Sequence, residues 1–417
     1  MNIIKILFII LTFSASLYSN KIYIPMDDTQ SDHLRAYGVV YWALERGFQG
    51  EWLLNYHGGS FLLDTSKDIT DYADLMGVSY SLIDDNTIIS IYRTIEENNM
   101  NRIPLNKAPK IAVYAPSYAE PWDDAVRLVL EYAKIPYTRL WDKEVLLGEL
   151  SKYDWLHLHH EDFTGQYGKF YASFRNTEWY KKQVAQAIKL ARTLGFKTVQ
   201  EEKCAIAKMI QQYVAAGGFL FAMCAATDTI DIALAADGID IIPKEIDGTP
   251  ITPNAQEKLD FTKTFAFTDF KLIFNPYVYE FSDIDVDVIK EGMYYKQGTF
   301  TLFDFSAKED PIPTMLVQNH KNVIKDFLGQ TTAFHRWVIK DSITIMGETP
   351  DTDRVKYIHG NFGKGTFTFY GGHDPEDYKH LVGDPPTDLS LHKNSPGYRL
   401  ILNNVLFPAA KKRHRKT

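Results

Sequence analysis

The chain has 417 residues, of which 45% are hydrophobic and 24% are charged, the composition of an ordinary globular protein with room for two domains or for one large domain with an appendage. Its formal net charge of −8 argues against nucleic acid as the main partner, because the phosphate backbone selects basic surfaces. With only two cysteines, the chain is not a disulfide scaffold.

The N-terminal 19 residues predict a secretory signal peptide. Lys5 precedes an apolar run over residues 6–13, and small residues suited to cleavage follow. No cysteine comes directly after the run, so a lipoprotein anchor is not expected, and no later stretch reaches the roughly 18 apolar residues of a membrane span. We therefore expect an exported mature chain without a transmembrane segment, in the periplasm or outside the cell.

Residues 20–107 predict an N-terminal α/β segment. A strand, a helix and a second strand follow one another, at residues 21–26, 33–46 and 51–56. This order predicts a β-α-β unit with a right-handed crossover. Gly58 and Gly59 follow the second strand, where their backbone amides can approach a bound anion or simply form a tight turn.

Residues 108–410 predict a second α/β domain, followed by a basic, solvated tail at 411–417. Strands are predicted at 110–114, 137–141, 154–159, 219–223, 354–359 and 365–370. Helices are predicted at 122–133, 177–194, 199–215, 227–236 and 397–406. The last two strands flank a glycine-rich turn and predict a hairpin in a β-rich C-terminal part.

The most polar cluster of the chain follows the strand at 154–159. His157 and His159 lie on one face of that strand, and Glu161 joins them if the extended backbone continues. Two imidazoles and a carboxylate predict a site for zinc or another divalent ion. The alternatives are a ligand-binding rim that adds His160 and Asp162, acid–base catalysis, or a hydrogen-bonded structural cluster.

Cys224 ends the strand at 219–223, directly before a helix. This is the position of a nucleophile elbow, and the helix N-terminus favours a thiolate, although alanines stand where the elbow glycines usually lie. A buried packing cysteine is the alternative. So is a disulfide with Cys204, which would remove the nucleophile.

A histidine and two acids follow the strand at 365–370. His373 is followed by Asp374 and Glu376, either of which can orient it as a general base. The chain order of cysteine, then histidine and acid, is that of a thiol amidotransferase.

The C-terminal run GKGTFTFYGGHDPEDY, with YRLILNNVLFPA after it, resembles the trehalose-utilisation (ThuA-like) proteins. The whole mature chain resembles an exported bacterial family catalogued as "asparagine synthetase B", through YIPMDDTQSDHLRAYGVVYWAL, WLLNYHGGSF and YDWLHLHHEDFTGQYGKFY. The first resemblance implies the class I glutamine amidotransferase-like fold, a flavodoxin-type, doubly wound and mostly parallel sheet.

The resemblance to that family does not imply that this chain synthesises asparagine. The mature chain does not begin with cysteine, and it has no serine-glycine-glycine-x-aspartate-serine loop for ATP. We expect instead an exported amidotransferase-like protein that binds or processes a small polar ligand, a carbohydrate or an amide, at the carboxyl ends of the strands. The alternatives are a thiol hydrolase or amidase using Cys224 and His373, and a non-catalytic component of the cell envelope.

Overall fold

The structure is a computed structural model and describes residues 20–116, 124–286, 298–316, 321–379, 381 and 383–410. The predicted signal peptide and the predicted basic tail lie outside these residues, as does the start of the helix predicted at 122–133.

The first part of the chain forms an antiparallel sheet with helices. Its elements are β1 (Lys21–Ile24), α1 (His33–Glu45), β2 (Gly50–Leu54), β3 (Ser60–Asp64), α2 (Lys67–Met76), β4 (Ser81–Ile83), α3 (Asp85–Glu97) and β5 (Asn101–Leu105). The sheet order is β4-β1-β3-β2-β5, and every pairing is antiparallel. The predicted strand, helix and strand exist, but β3 lies between β1 and β2, so they are not neighbours in a parallel β-α-β unit.

The second part contains the larger sheet. Its first elements are β6 (Ile111–Tyr114), α4 (Ala125–Tyr132), β7 (Thr138–Leu140), α5 (Asp142–Leu146), β8 (Trp155–Leu158), α6 (Tyr171–Phe174), α7 (Glu178–Thr193), α8 (Val199–Ala215), β9 (Phe219–Met223), α9 (Ala226–Ala235) and α10 (Lys244–Asp247). The remainder are β10 (Thr299–Leu302), α11 (Pro313–Leu316), β11 (Val323–Lys325), β12 (Phe334–His335), β13 (Thr344–Glu348), β14 (Arg354–Phe362), β15 (Gly365–Tyr370) and α12 (Pro396–Leu406).

The predicted fold class, a flavodoxin-type doubly wound and mostly parallel sheet of the class I glutamine amidotransferase-like kind, is wrong. The large sheet has the order β11-β10-β13-β14-β15-β9-β8-β6-β7, with β12 paired to β14. Strands β15, β9, β8, β6 and β7 are parallel, whereas β14, β13, β10 and β11 continue by antiparallel pairing. The sheet is therefore mixed, because the tight turn at Gly363 reverses the chain and adds an antiparallel half beside β15.

Apolar side chains pack on both faces of the large sheet. One buried cluster joins α1, α4 and α12 to the first sheet and to one face of the large sheet, and it contains Trp52, Trp155 and Tyr398. A second cluster lies on the opposite face, where α8 and α9 cover the parallel strands. The two sheets thus share a helical layer, and the polar ends of the parallel strands emerge between these apolar layers.

A buried arginine ties this helical layer to the first sheet. Arg399 of α12 is fully buried, and its guanidinium donates to the carbonyl oxygens of Met26 (2.9 Å) and Gly58 and to the Tyr37 hydroxyl (3.3 Å). Gly58 has a left-handed backbone (φ 72°), and a Cβ there would lie 2.3 Å from the Met26 oxygen. Gly59 donates to Tyr56, so the pair predicted to bind a ligand, Gly58 and Gly59, fits its tight-turn alternative.

Candidate functional site

Three neighbouring parallel strands end side by side, and candidate functional residues from the sequence analysis follow each of them. His159 and His160 come after β8, Cys224 after β9 and His373 after β15. The Cys224 N–H donates to the Gly372 carbonyl (3.1 Å), and the Ala226 N–H donates to the His159 carbonyl (3.0 Å). The β9–α9 turn is therefore bonded to the segments on both sides, and residues far apart in the chain meet at one edge.

His159, His160 and His373 form a three-imidazole group. The ring centroids of His159 and His373 are 4.5 Å apart, and those of His160 and His373 are 6.1 Å apart. One nitrogen from each ring lies within 4.8 Å of the others. His159 and His373 are buried, while His160 is half-buried. Three converging imidazoles can hold a divalent metal ion and leave a coordination position open.

A second group, Asp124, His157 and His159, shares one member with the first. Asp124 caps α4 through the N–H groups of Val126 (2.9 Å) and Arg127 (3.0 Å). Its Oδ1 lies 3.4 Å from His157 Nε2 and 3.8 Å from His159 Nδ1. Burial alone would raise the pKa of Asp124, but the two imidazoles outweigh it and hold that pKa below its ordinary value. The group supplies a buried negative charge behind the three histidines.

The predicted metal set of His157, His159 and Glu161 differs from the observed group in one member, Glu161. Because β8 ends at Leu158, the extended alternation stops before Glu161. Glu161 turns back, and its Oε2 accepts a hydrogen bond from the His159 N–H (2.8 Å). Among the described residues, the carboxylate grouped with His157 and His159 is that of Asp124.

Cys224 has the elbow conformation but not the environment of a thiolate. Its backbone is left-handed (φ 49°), a strained state for a residue other than glycine. The side chain is buried, and its sulfur accepts the Gln330 N–H (3.3 Å). Burial raises the pKa of the thiol to about 11, although backbone N–H groups around the sulfur oppose the shift. Cys204 is also a free, buried cysteine, so the alternative of a disulfide between them is not formed.

We expect Cys224 to resist alkylation in the folded protein. With a pKa of about 11 and a buried sulfur, the thiolate fraction stays negligible at pH 8, so labelling by iodoacetamide should be far slower than that of a free thiol and rise only in strongly alkaline solution. Mass spectrometry of peptides after timed labelling measures this, with urea-unfolded protein as the control in which both cysteines react. Rapid labelling of Cys224 near pH 7 would contradict the expectation and favour a thiol enzyme.

The two acids predicted to orient His373 make other contacts. The Asp374 carboxylate accepts the Glu376 N–H (2.8 Å), and burial raises the pKa of Asp374. The Glu376 carboxylate lies 3.0 Å from His392 Nδ1 and accepts the Tyr378 hydroxyl (2.6 Å). These contacts hold the turn after His373.

A cavity of about 320 Å³ is lined by one of the three histidines, His160. Glu161 and Asp162, which were also predicted to bind a ligand, line it, whereas His159 of the same prediction is not among its lining residues. The rest of its lining combines aromatic, charged and amide side chains, among them Trp141, Tyr167, Phe170, Trp179, Asp142, Lys203, Gln183 and Gln186. Such a mixed lining suits a small polar ligand with apolar faces.

One wall of the cavity has a strained backbone. Tyr167, Gly168 and Lys169 are consecutive residues in the left-handed region, with φ of 54°, 70° and 58°. Asp162 Oδ2 accepts the Gly168 N–H (2.9 Å), and the Gly168 carbonyl accepts from Gln330 Nε2 (2.6 Å). Strain held in this way is concentrated at functional sites in proteins.

Sequence reasoning missed the contributions of Asp124, Gln330 and Lys203 to this region. Asp124 falls within the helix predicted at 122–133, and the signal that could have found it is that this helix follows β6, the strand that pairs with β8. Gln330 reaches Cys224 from 106 positions further along the chain, and no local pattern reports such a contact.

The fold and the site define an α/β protein with a mixed sheet and buried histidine and aspartate groups that can hold a metal ion. Within the part of the chain that the structure describes, no helix has the length and apolar character needed to span a membrane.

Comparison with known proteins adds only remote likenesses. No protein-family model matches the chain, and no curated protein matches it. The chain is similar to the cytoplasmic protein STM3548 from Salmonella typhimurium, with 11% identity, 73% of this chain and 100% of that chain covered, and a TM-score of 0.35. It is also similar to a β-galactosidase from Bacillus circulans sp. alkalophilus, with 11% identity, 67% and 30% covered, and a TM-score of 0.28. The chain thus spans less than a third of that enzyme, and these scores carry no argument about function.

Proposed function

We propose that this chain binds a divalent transition-metal ion, zinc in the first place, on His159, His160 and His373, and that it acts there on a small polar ligand held in the adjoining cavity. The observation that carries the proposal is the convergence of three imidazoles at strand ends, with His160 in the cavity wall. Three imidazoles are a known ligand set for catalytic zinc, and Asp124 offsets part of the added positive charge.

The chemistry this arrangement supports is hydrolysis of a carbohydrate or an amide. A zinc ion lowers the pKa of a bound water to about 7, which supplies a nucleophile at neutral pH. His159, His160 and His373 would hold the ion, and its bound water would supply the nucleophile for the carbonyl or anomeric carbon. The amide or glycosidic bond would then break, and the departing nitrogen or oxygen would take the proton released by the water. Glu161 and Asp162 line the cavity and would be the carboxylates that receive and pass on that proton.

Metal titration and activity measurements test the proposal. The purified chain, freed of metal by a chelator, should bind one zinc or cobalt ion per chain in a calorimetric titration. Metal-loaded protein should then cleave members of a panel of p-nitrophenyl glycosides and aryl amides that the chelated protein leaves intact. Failure of zinc, cobalt, nickel and manganese to bind stoichiometrically would refute the proposal.

A thiol hydrolase remains the second candidate, favoured by the left-handed elbow conformation of Cys224. In that case a Cys224→Ser variant would lose activity while keeping its metal content. Under the metal proposal, the same variant keeps both. Export of the mature chain also stays a prediction, which the N-terminal sequence of protein from intact cells would test.

A further inference from the structure

Exposed aromatic side chains continue the wall of the cavity outward. Phe170 lines the cavity, and its ring centroid lies 6.0 Å from that of Tyr279, which is 41% exposed. Beside it, Tyr171 lies 5.9 Å from Tyr277, which is 59% exposed. We call Phe170, Tyr171, Tyr277 and Tyr279 the aromatic ridge. Its exposed members, Tyr277 and Tyr279, offer their rings to solvent beside the cavity, while Phe170 is buried.

The ridge is fixed to the cavity wall rather than loosely attached. Lys169, which is buried, donates from Nζ to the Ile273 carbonyl (2.7 Å), so the segment carrying Tyr277 and Tyr279 is bonded to the strained wall. The Arg175 guanidinium lies 5.6 Å from the Tyr171 ring and 5.8 Å from the Tyr277 ring. A ridge ordered in this way can stack on a ligand without a large cost in side-chain entropy.

Several polar side chains in the mostly apolar lining of the cavity can form hydrogen bonds with hydroxyl groups. Glu161 and Asp162 offer acceptors, the amides of Gln183 and Gln186 offer both donors and acceptors, and Lys182 offers a further donor. Acidic and basic groups both line the cavity, which does not favour a strongly charged ligand. Its volume of about 320 Å³ is near the lower end of the range for ligand sites, so a long molecule must continue outside it.

We propose that the ligand is an oligosaccharide whose terminal sugar occupies the cavity and whose next units stack on the aromatic ridge. A pyranose ring has an apolar C–H face that stacks on an aromatic ring and a rim of hydroxyls that bonds to carboxylates and amides. A small amide would fill the cavity and leave the ridge uncovered. This inference rests on the proposed function and narrows its ligand to one of the two classes.

Affinity as a function of chain length tests the inference. Cello-, malto- and galacto-oligosaccharides of one to six units, joined by thioglycosidic bonds that resist hydrolysis, are titrated calorimetrically into the zinc-loaded chain. In the series that binds, affinity should rise as the chain grows beyond the first units. Tyr277→Ala and Tyr279→Ala should each lower the affinity for the longest member about three- to tenfold, the effect of losing one stacking contact, and leave that for the monosaccharide unchanged.

Trp337→Ala is the matched control, because Trp337 is 53% exposed and contacts His335 outside the ridge. It should leave every affinity unchanged. Affinities independent of length, absence of binding in all three series, or ridge variants that behave like the control would each overturn the inference. The same titrations with chelated protein separate it from the metal proposal. If zinc binds but affinity does not depend on oligosaccharide length, only the role of the ridge is refuted. If affinity depends on oligosaccharide length but zinc does not bind, only the metal site is refuted.

Discussion

Replacing either buried histidine of the three-imidazole group by alanine should abolish tight metal binding. In His159→Ala and His373→Ala, one of three nitrogen donors is lost, and the dissociation constant for zinc should rise more than about 100-fold, since loss of an outer-shell partner alone costs 10–100-fold. Competition with a chromogenic chelator measures the constant. Zinc binding by both variants as tight as that of the unmodified chain would place the metal at another site and refute this one.

Two further variants separate ligands from their surroundings. His335→Ala is the control for loss of an imidazole, because His335 pairs with Asp353 away from the three histidines, and it should leave zinc binding unchanged. Asp124→Asn keeps a good helix cap while removing the buried charge, and should weaken binding about 10–100-fold. Asp84→Asn makes the same change at the cap of α3 and should have no effect on zinc.

Replacing Arg399 by methionine should lower the free energy of unfolding by about 2–4 kcal/mol, because each buried polar group left without its partner costs about 1–3 kcal/mol. The variant leaves the Met26 carbonyl and the Tyr37 hydroxyl buried without the guanidinium that they share. The apolar stem of methionine replaces part of the lost packing, so the polar contacts account for the effect. Equilibrium urea unfolding followed by tryptophan fluorescence measures it.

Arg46→Met is the matched control for loss of a guanidinium. Arg46 is exposed, pairs with Glu45 (3.0 Å) and lies over the Trp42 ring, so its removal should cost less than about 1 kcal/mol. Equal effects of the two substitutions would show that the buried contacts of Arg399 contribute nothing beyond those of a surface arginine.

Local structure was well predicted where a strong local signal exists. The strand Phe219–Met223 and the helix Val199–Ala215 were predicted at their observed bounds, because an apolar run and a glycine pair fix them. His159 and His373 meet because β8 and β15, each paired in parallel with β9, end at the same edge of the sheet.

Sheet topology was predicted wrongly because strand patterns do not encode the direction of pairing. Nothing in the residues of β3 shows that it inserts between β1 and β2, and strands β10, β11 and β13 lie in a stretch whose turns obscure their alternation. Glu161 was misplaced for a related reason: the period-2 rule holds only while the backbone stays extended, and β8 ends three residues earlier.

At Tyr167 and Lys169, where the backbone is left-handed, the residue that would favour stability differs from the one that favours ligand binding. Glycine would adopt the same conformation with less strain, so replacing either residue by glycine should relax the backbone. The change at Tyr167 would remove a ring from the cavity, and the change at Lys169 would remove the hydrogen bond that anchors the ridge. A screen that rewards only heat resistance would accept such changes, and one that rewards ligand capture would reject them. The two positions therefore offer a way to separate, by selection alone, what this chain needs in order to fold from what it needs in order to act.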